Sequence, residues 1–290
     1  MPVFALPKTA IRKMTRLESK IKAGYYALPP TVTERILSYV TAPHGGRIFD
    51  PCAGAGVALT EIAEELDLEP YAAEIHAERS MQTAEALEHL MGRQMAHIDQ
   101  DVHTRVVHDT YEHVDMPKDS MGLLYLNPPY DYDHMDGRME YAFLRNCRPL
   151  LQTGGLLVYV VPQHVITKVK VRNYLASWFT DIKVARFPNE EYTTFKQIVV
   201  FGRRLPQSIT PRPELTRELK RLGEIGTALN VLEIASKPVF EIPAPTQAPF
   251  YFRSKIVDPD EARAEAEEHG ASGLKAYEDH IYPQSAFKFG

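Results

Sequence analysis

Between residues 46 and 204, short apolar runs alternate with amphipathic stretches. Seven runs have the length and content of strands: GRIFD (46–50), YAAEI (71–75), RVVHD (105–109), MGLLYLN (121–127), LLVYVVP (156–162), DIKVARF (181–187) and KQIVVFGRR (196–204). Stretches 57–66, 77–91, 138–151 and 164–179 carry apolar residues at helical spacing, and QTGG (152–155) reads as the stop of the third. Strands that are apolar on both faces need cover on both sides, and their alternation with helices gives parallel pairing. The expectation is an α/β fold with a doubly wound, mostly parallel seven-stranded sheet.

The flanks read differently. Residues 1–42 are expected as a helical N-terminal segment and 43–204 as the core. Proline-rich stretches (LPQSITPRPE, EIPAPTQAPF) and an acidic helix (DEARAEAEEHG) mark 205–290 as a small C-terminal appendage, packed on the core or on a protein partner. No internal repeat is evident.

Composition narrows the class. The 290 residues carry a formal charge of −5 and only two cysteines, Cys52 and Cys147, so a disulfide framework is not the organising device. No apolar run approaches a membrane span, and the first residues are too polar for a signal peptide. The soluble cytoplasm is the expected location. Basic residues cluster at Lys8–Lys22, at Lys168, Lys170 and Arg172, and between Arg203 and Arg221. Each cluster alone is a solvated face; together they permit a phosphate-tracking surface.

In such sheets, ligands bind beyond the carboxyl ends of the strands. Four strand ends there carry polar groups: Asp50, Glu74, Asp109 and Asn127. DPCAGAG (50–56) turns from a strand into a helix, and its glycines allow close backbone approach to a ligand. It is neither G-x-G-x-x-G nor a P-loop, and Asp50 would repel a phosphate. A cationic or neutral ligand suits it, such as an ammonium group beside a sulfonium. Glu74, some twenty residues on, sits where an acid accepts both ribose hydroxyls of a nucleoside. Asp109 and Thr110 are placed to meet an adenine amino group. A tight turn and a surface acid are the plainer alternatives.

DPCAGAG, the acid in AAEI, and NPPY (127–130) resemble the class I S-adenosylmethionine-dependent methyltransferases. More narrowly, they resemble the amino-group methyltransferases whose type member modifies adenine-N6 in DNA. The resemblance covers about residues 22–203 and implies a Rossmann-like methyltransferase fold with S-adenosyl-L-methionine as cofactor. AGYYALPP (23–30) is similar to the family segment lining the methionine end of the cofactor, with Leu28 where the family usually has threonine. The implied cofactor contacts are Gly24, Tyr26, Pro29, Asp50, Pro51, Cys52, Ala53, Gly54, Gly56, Glu74, Ile75, Asp109, Thr110 and Asn127. The implied catalytic residues are Asn127, Pro128, Pro129 and Tyr130. The order of these segments is that of the branch whose target-recognition region comes last.

The chemistry explains the tetrapeptide. Proline cannot continue a central strand, so Pro128 and Pro129 end the fourth one and present carbonyls without competing N–H groups. The Asn127 amide oxygen and the Pro128 carbonyl can then hold both hydrogens of a conjugated amino group, whose lone pair is otherwise delocalised. Tyr130 offers a flat face for a planar substrate. Phe195 offers a second face, with Tyr192 in reserve. A glutamine amide in protein, or a base in RNA, poses the same problem as adenine, so NPPY alone leaves these substrates open. Segment order favours DNA. A non-catalytic binding subunit is the alternative from another class. The histidines between 76 and 134 have irregular spacing and no C-x-x-C beside them, so no metal is expected.

Overall fold

The seven apolar runs form one sheet of seven strands. They are β1 (Arg47–Asp50), β2 (Glu69–Ala73), β3 (Val106–Val107), β4 (Met121–Leu126), β5 (Leu151–Pro162), β6 (Phe179–Arg186) and β7 (Gln197–Arg204), in spatial order β6-β7-β5-β4-β1-β2-β3. The pairs β1–β2, β1–β4, β2–β3 and β4–β5 are parallel, whereas β7 runs antiparallel to both β5 and β6. This computed structural model describes residues 27–94, 102–130, 132–133, 137–246 and 249–255. Gly24 and Tyr26 lie outside the described residues.

The described helices are α1 (Pro30–Leu37), α2 (Val57–Leu66), α3 (Ala77–Gln94), α4 (Met139–Cys147), α5 (Val169–Trp178), α6 (Asn189–Phe195) and α7 (Pro213–Glu224). Alternation along each strand sends successive side chains to opposite faces. Ile48, Leu123 and Val158 meet Leu59, Ile62, Leu87 and Leu90 of α2 and α3 in one core. Phe49, Leu124 and Leu157 meet Leu144, Val171, Leu175 and Leu219 of α4, α5 and α7 in the other. All six residues of β4 are buried, as a central strand covered on both faces requires.

Three elements differ in extent from the pattern. QTGG does not stop a helix; it lies inside β5, which begins at Leu151. Gly154 has φ of +77°, and the β4–β5 register shifts between Met121 and Leu123, so the two glycines absorb an irregularity in the strand. The stretch 164–179 divides into a 3₁₀ turn, Gln163–Thr167, and α5. RVVHD pairs only through Val106 and Val107.

The first compact unit runs past residue 204 to Arg253, and the second is Ser254–Gly290. Within the first unit, Leu219, Leu229, Leu232, Phe240, Ile242 and Phe252 are buried against the sheet and its helices. Phe240 stacks on Phe201, and Ile242 belongs to the same core. Phe250 and Phe252 pack on Tyr71 on the opposite face. Ile242 thus sits at the amino ends of β1 and β4, beside Gly46 and Gly122, away from the strand ends that carry the polar residues.

Candidate active site

A cleft opens at the carboxyl edge of β1, β2, β3 and β4. Pro51, Cys52, Glu74, Ile75, Asp109, Thr110, Asn127 and Pro129 line it, together with His76, Arg79, Tyr111, Glu112, Met139, Ala142 and Phe143.

The floor is the glycine loop. Gly54 and Gly56 have φ of +62° and +76°, a region that side chains strain to enter. Gly56 also has no room for a side chain: a Cβ there would stand 3.0 Å from Thr83 Cα. The loop is tied to its neighbours. Ala53 N–H donates to Ala73 O, Gly54 N–H to Glu74 Oε2 (2.8 Å), and Thr83 Oγ1 to Gly54 O (2.8 Å). Of the loop, Pro51 and Cys52 line the cleft, whereas Asp50, Ala53, Gly54 and Gly56, like Pro128, lie outside its lining.

Asp50 lies under the loop, 2% exposed, and accepts from Cys52 N–H at 3.0 Å. Burial raises its pKa to about 7; the Cys52 N–H opposes the rise and nearby Glu74 adds to it. Burial, with Asp50 beside it, also pushes the Cys52 thiol up, so this cysteine is no thiolate nucleophile. Its Sγ–H points to Asn127 O at 3.4 Å.

Glu74 is buried at the end of β2. Besides Gly54 N–H, it accepts from His76 N–H (3.0 Å) and from Arg79, whose guanidinium lies 3.0 Å away. Any hydroxyl reaching this carboxylate must share it with Arg79 or displace Arg79. Beside it, Ile75 is 63% exposed, an apolar side chain on the cleft wall with little protein over it. Asp109 accepts from Thr110 N–H at 2.6 Å, and its other oxygen is 2.9 Å from His113 Nδ1. Tyr111 and Phe143, both in the lining, pack with centroids 4.2 Å apart and ring planes tilted by 44°.

Asn127 leaves the end of β4 into the same cleft. Its Oδ1 accepts from the Tyr130 hydroxyl at 3.1 Å, and Gln197 Nε2 donates to that hydroxyl oxygen. Pro128 is buried, whereas Tyr130 and Phe195 are half-buried outside the cleft lining. Tyr192 is only 4% exposed, with its hydroxyl on Gln163 Oε1 and its ring under Arg186. It is committed to the interior, which leaves Phe195 as the more accessible aromatic of that loop. Pro29 caps α1 with extended φ and ψ and does not line the cleft.

His76, Arg79, Tyr111, Met139, Phe143 and Gln197 were not legible as site residues. His76 and Arg79 follow Glu74 within a helical turn, and Met139, Ala142 and Phe143 recur at i, i+3 and i+4 on α4; those spacings were the available signals. Among the described residues, no group of three or more His, Cys, Asp or Glu is placed to hold a metal ion. Nor is any described helix long and apolar enough to cross a membrane.

The donor set suits a nucleoside with a cationic end. Three carboxylates (Glu74, Asp109 and Glu112) and an exposed apolar side chain line the cleft, and its one guanidinium is already paired with Glu74. A parallel sheet in this strand order, with β7 alone reversed and the cleft at its carboxyl edge, is a doubly wound, Rossmann-like arrangement. Residues 4–244 match DUF6094, an uncharacterised methyltransferase family, and the chain belongs to it.

No curated protein matches the chain. Among solved structures, a protein from Listeria monocytogenes assigned to the class I S-adenosylmethionine-dependent methyltransferases is 12% identical, with a TM-score of 0.48 over 74% of this chain and 79% of that one. The methyltransferase subunit of a type I restriction-modification system from Streptococcus thermophilus is 13% identical, with a TM-score of 0.49 over 69% of this chain and 52% of that one. TYW2 of M. jannaschii, solved with AdoMet, is 14% identical, with a TM-score of 0.42 over 62% and 78%.

Proposed function

We propose that this methyltransferase acts on an exocyclic amino group, adenine-N6 in DNA, with Asn127 and Pro128 holding the amino group. One observation carries the reading. Asn127 and Pro129, at the end of β4, line the same cleft as Pro51 and Cys52 of the glycine loop, Glu74 and Asp109.

When bound, S-adenosylmethionine supplies an electrophilic methyl group on a sulfonium. Asp50 and the loop 51–54 would hold its amino-acid end, Glu74 its ribose hydroxyls, and Asp109 with Thr110 its adenine. Ile75 would cover one face of that ring. Asn127 Oδ1 and Pro128 O would accept the two N–H bonds of the substrate amino group. That restrains the nitrogen and favours a pyramidal geometry, in which the lone pair is less delocalised. An amide oxygen has two lone pairs, so Asn127 can serve the substrate while accepting from Tyr130. Fixed acceptors of this kind act by positioning and preorganised charge, without a general-base histidine.

Two features support a nucleic acid as the substrate. Tyr130, directly after the proline pair, and Phe195, the last residue of α6, are half-buried aromatic faces suited to a base taken out of its stack. Lys168 and Lys170 are exposed where the chain leaves the carboxyl end of β5, on the same side as the cleft. Segment order, with the region after 204 last, resembles the DNA branch rather than RNA or protein-glutamine enzymes.

The test is nucleoside mass analysis after incubation of the chain with S-adenosylmethionine and duplex DNA. N6-methyladenine is expected, and Asn127→Ala is expected to lower its rate by about 10²–10³-fold. Methyl groups found only in protein or RNA would move the substrate to those classes. Failure to bind S-adenosylhomocysteine in calorimetry would favour a non-catalytic subunit.

A further inference from the structure

We infer that Arg79 competes with the cofactor's ribose for Glu74: its guanidinium holds the carboxylate in the empty cleft, and only a nucleoside bearing both ribose hydroxyls displaces it. The inference rests on the proposed role of Glu74 and is independent of the methyl acceptor. Glu74 is 4% exposed at the carboxyl end of β2, where a charge needs hydrogen-bond partners. Its Oε2 accepts from Gly54 N–H at 2.8 Å. Its Oε1 accepts from His76 N–H at 3.0 Å, and from Arg79 Nε and Nη2 at 3.2 and 3.0 Å. A carboxylate oxygen has two lone pairs. Oε1 therefore receives more donors than it can fully accept, and Oε2 has one lone pair to spare. A ribose brings two hydroxyls. One lone pair does not serve both, so the guanidinium must leave, whatever else it touches.

The geometry makes that departure easy. A strong guanidinium–carboxylate pair runs two parallel bonds to two oxygens, whereas both Arg79 N–H groups converge on Oε1. Arg79 also lies in the first turn of α3, the end of a helix where a cation is disfavoured. It lines the open cleft with 18% of its side chain exposed, so release takes the charge from an unfavourable position to water. After the exchange, Glu74 would accept from Gly54 N–H, His76 N–H and two hydroxyls, which matches its lone pairs. A ligand without the hydroxyls has nothing to offer in return. It either binds beside a retained Arg79 or leaves a buried carboxylate short of donors.

The test is calorimetry with S-adenosylhomocysteine and its 2′,3′-dideoxy analogue on the wild type and on Arg79→Met. Glu74 keeps two backbone donors in the variant. S-adenosylhomocysteine is expected to bind Arg79→Met about tenfold more tightly than the wild type, because no competitor remains. Loss of the hydroxyls should weaken binding by about tenfold more in Arg79→Met than in the wild type, where each hydroxyl only replaces a guanidinium bond. Arg79→Lys, a point charge without the fork, should fall between the two. The folded wild type carries a second readout, the Arg79 Nε–H resonance in ¹⁵N-arginine-labelled protein, identified by its absence in Arg79→Met. It should move when S-adenosylhomocysteine is added and stay in place with the dideoxy analogue. Equal hydroxyl contributions in the two backgrounds, weaker S-adenosylhomocysteine binding in Arg79→Met, or a resonance that S-adenosylhomocysteine leaves unmoved overturns the inference. Glu74→Gln separates the two ways of failing. If it weakens S-adenosylhomocysteine binding while the Arg79 effects are absent, only the competition falls; if it leaves binding unchanged, the role of Glu74 falls and the competition with it.

Discussion

At the scale of single residues, the strand-end acids show how far composition at a fixed position carries. Asp50, Glu74, Asp109 and Asn127 were legible because a parallel sheet places its strand ends along one edge, and a polar group that terminates an apolar run needs a reason. Arg79 and Gln197 were not, because their significance is a partner 5 or 67 positions away in sequence, Glu74 and Tyr130 respectively. Asp50 yields a pH prediction. Its pKa rises on folding from an ordinary carboxylate value to about 7 because burial penalises the charge. The folded state therefore binds this proton more tightly than the unfolded state. The resulting stability is full below pH ~4 and is lost as pH rises towards 7. Asp50→Asn keeps an oxygen for Cys52 N–H but carries no charge. In urea unfolding without cofactor it should be more stable than wild type at pH 8, by on the order of 1 kcal/mol or more, with the gain vanishing near pH 4. A gain equal at both pH values would refute the ionised, buried acid. If Asp50 serves the cofactor's ammonium group as proposed, the same variant should bind S-adenosylhomocysteine, which keeps that ammonium, more weakly.

At the scale of elements, periodicity located every strand of the sheet but misjudged ends wherever a local backbone device overrode it. The glycine pair at 154–155 looked like punctuation between elements, yet Gly154 takes its positive φ inside a continuing strand. The helix expected over 164–179 begins as a 3₁₀ turn, because Gln163 is drawn aside to donate to Leu222 O at the end of α7. Such long-range ties leave no periodic mark. The end of α2 shows a device that the sequence handles at some expense. Asp67 caps it at φ 51° and ψ 51°, with its N–H on Ala63 O, a left-handed conformation that glycine adopts without a Cβ penalty. Asp67 is exposed and has no role in the cleft. Asp67→Gly should therefore leave methyl transfer unchanged and raise stability by up to about 1 kcal/mol, read as a higher urea midpoint at constant m. Asp67→Val should lower the midpoint, since a β-branched residue strains most there.

At the scale of the whole molecule, the described residues between 205 and 246 add buried side chains to the core, and one contact tests how firmly they belong to it. Ile242 sits at the amino ends of β1 and β4, fully buried. Two glycines make room for it: a Cβ on Gly122 of β4 would come within 2.7 Å of Ile242 Cγ2, and one on Gly46 within 3.3 Å. Gly122 otherwise looks out of place near the start of a buried strand, where glycine weakens pairing and packs nothing. The sequence showed the anomaly without its cause, because the cause arrives 120 residues later. The segment is held on both sides of this point: Arg203 donates to Glu241 O at 2.8 Å, and Gln152 Nε2 to Ala244 O at 2.9 Å. Ile242→Ala should lower stability by about 2–5 kcal/mol through the lost methyl groups and the cavity behind them. Gly122→Ala should lower it by about 1–3 kcal/mol through overpacking. Because each change relieves the other's fault, the double variant should be less destabilised than the sum of the two, by more than the few tenths of a kcal/mol expected of independent sites. Strict additivity in denaturant titrations would mean that Ile242 does not rest on β4 and that the segment is an appendage after all. The contact is on the edge opposite the cleft, so any of these variants that remains folded should bind S-adenosylhomocysteine as the wild type does. Stability and ligand binding are thereby assigned to opposite ends of the same strands.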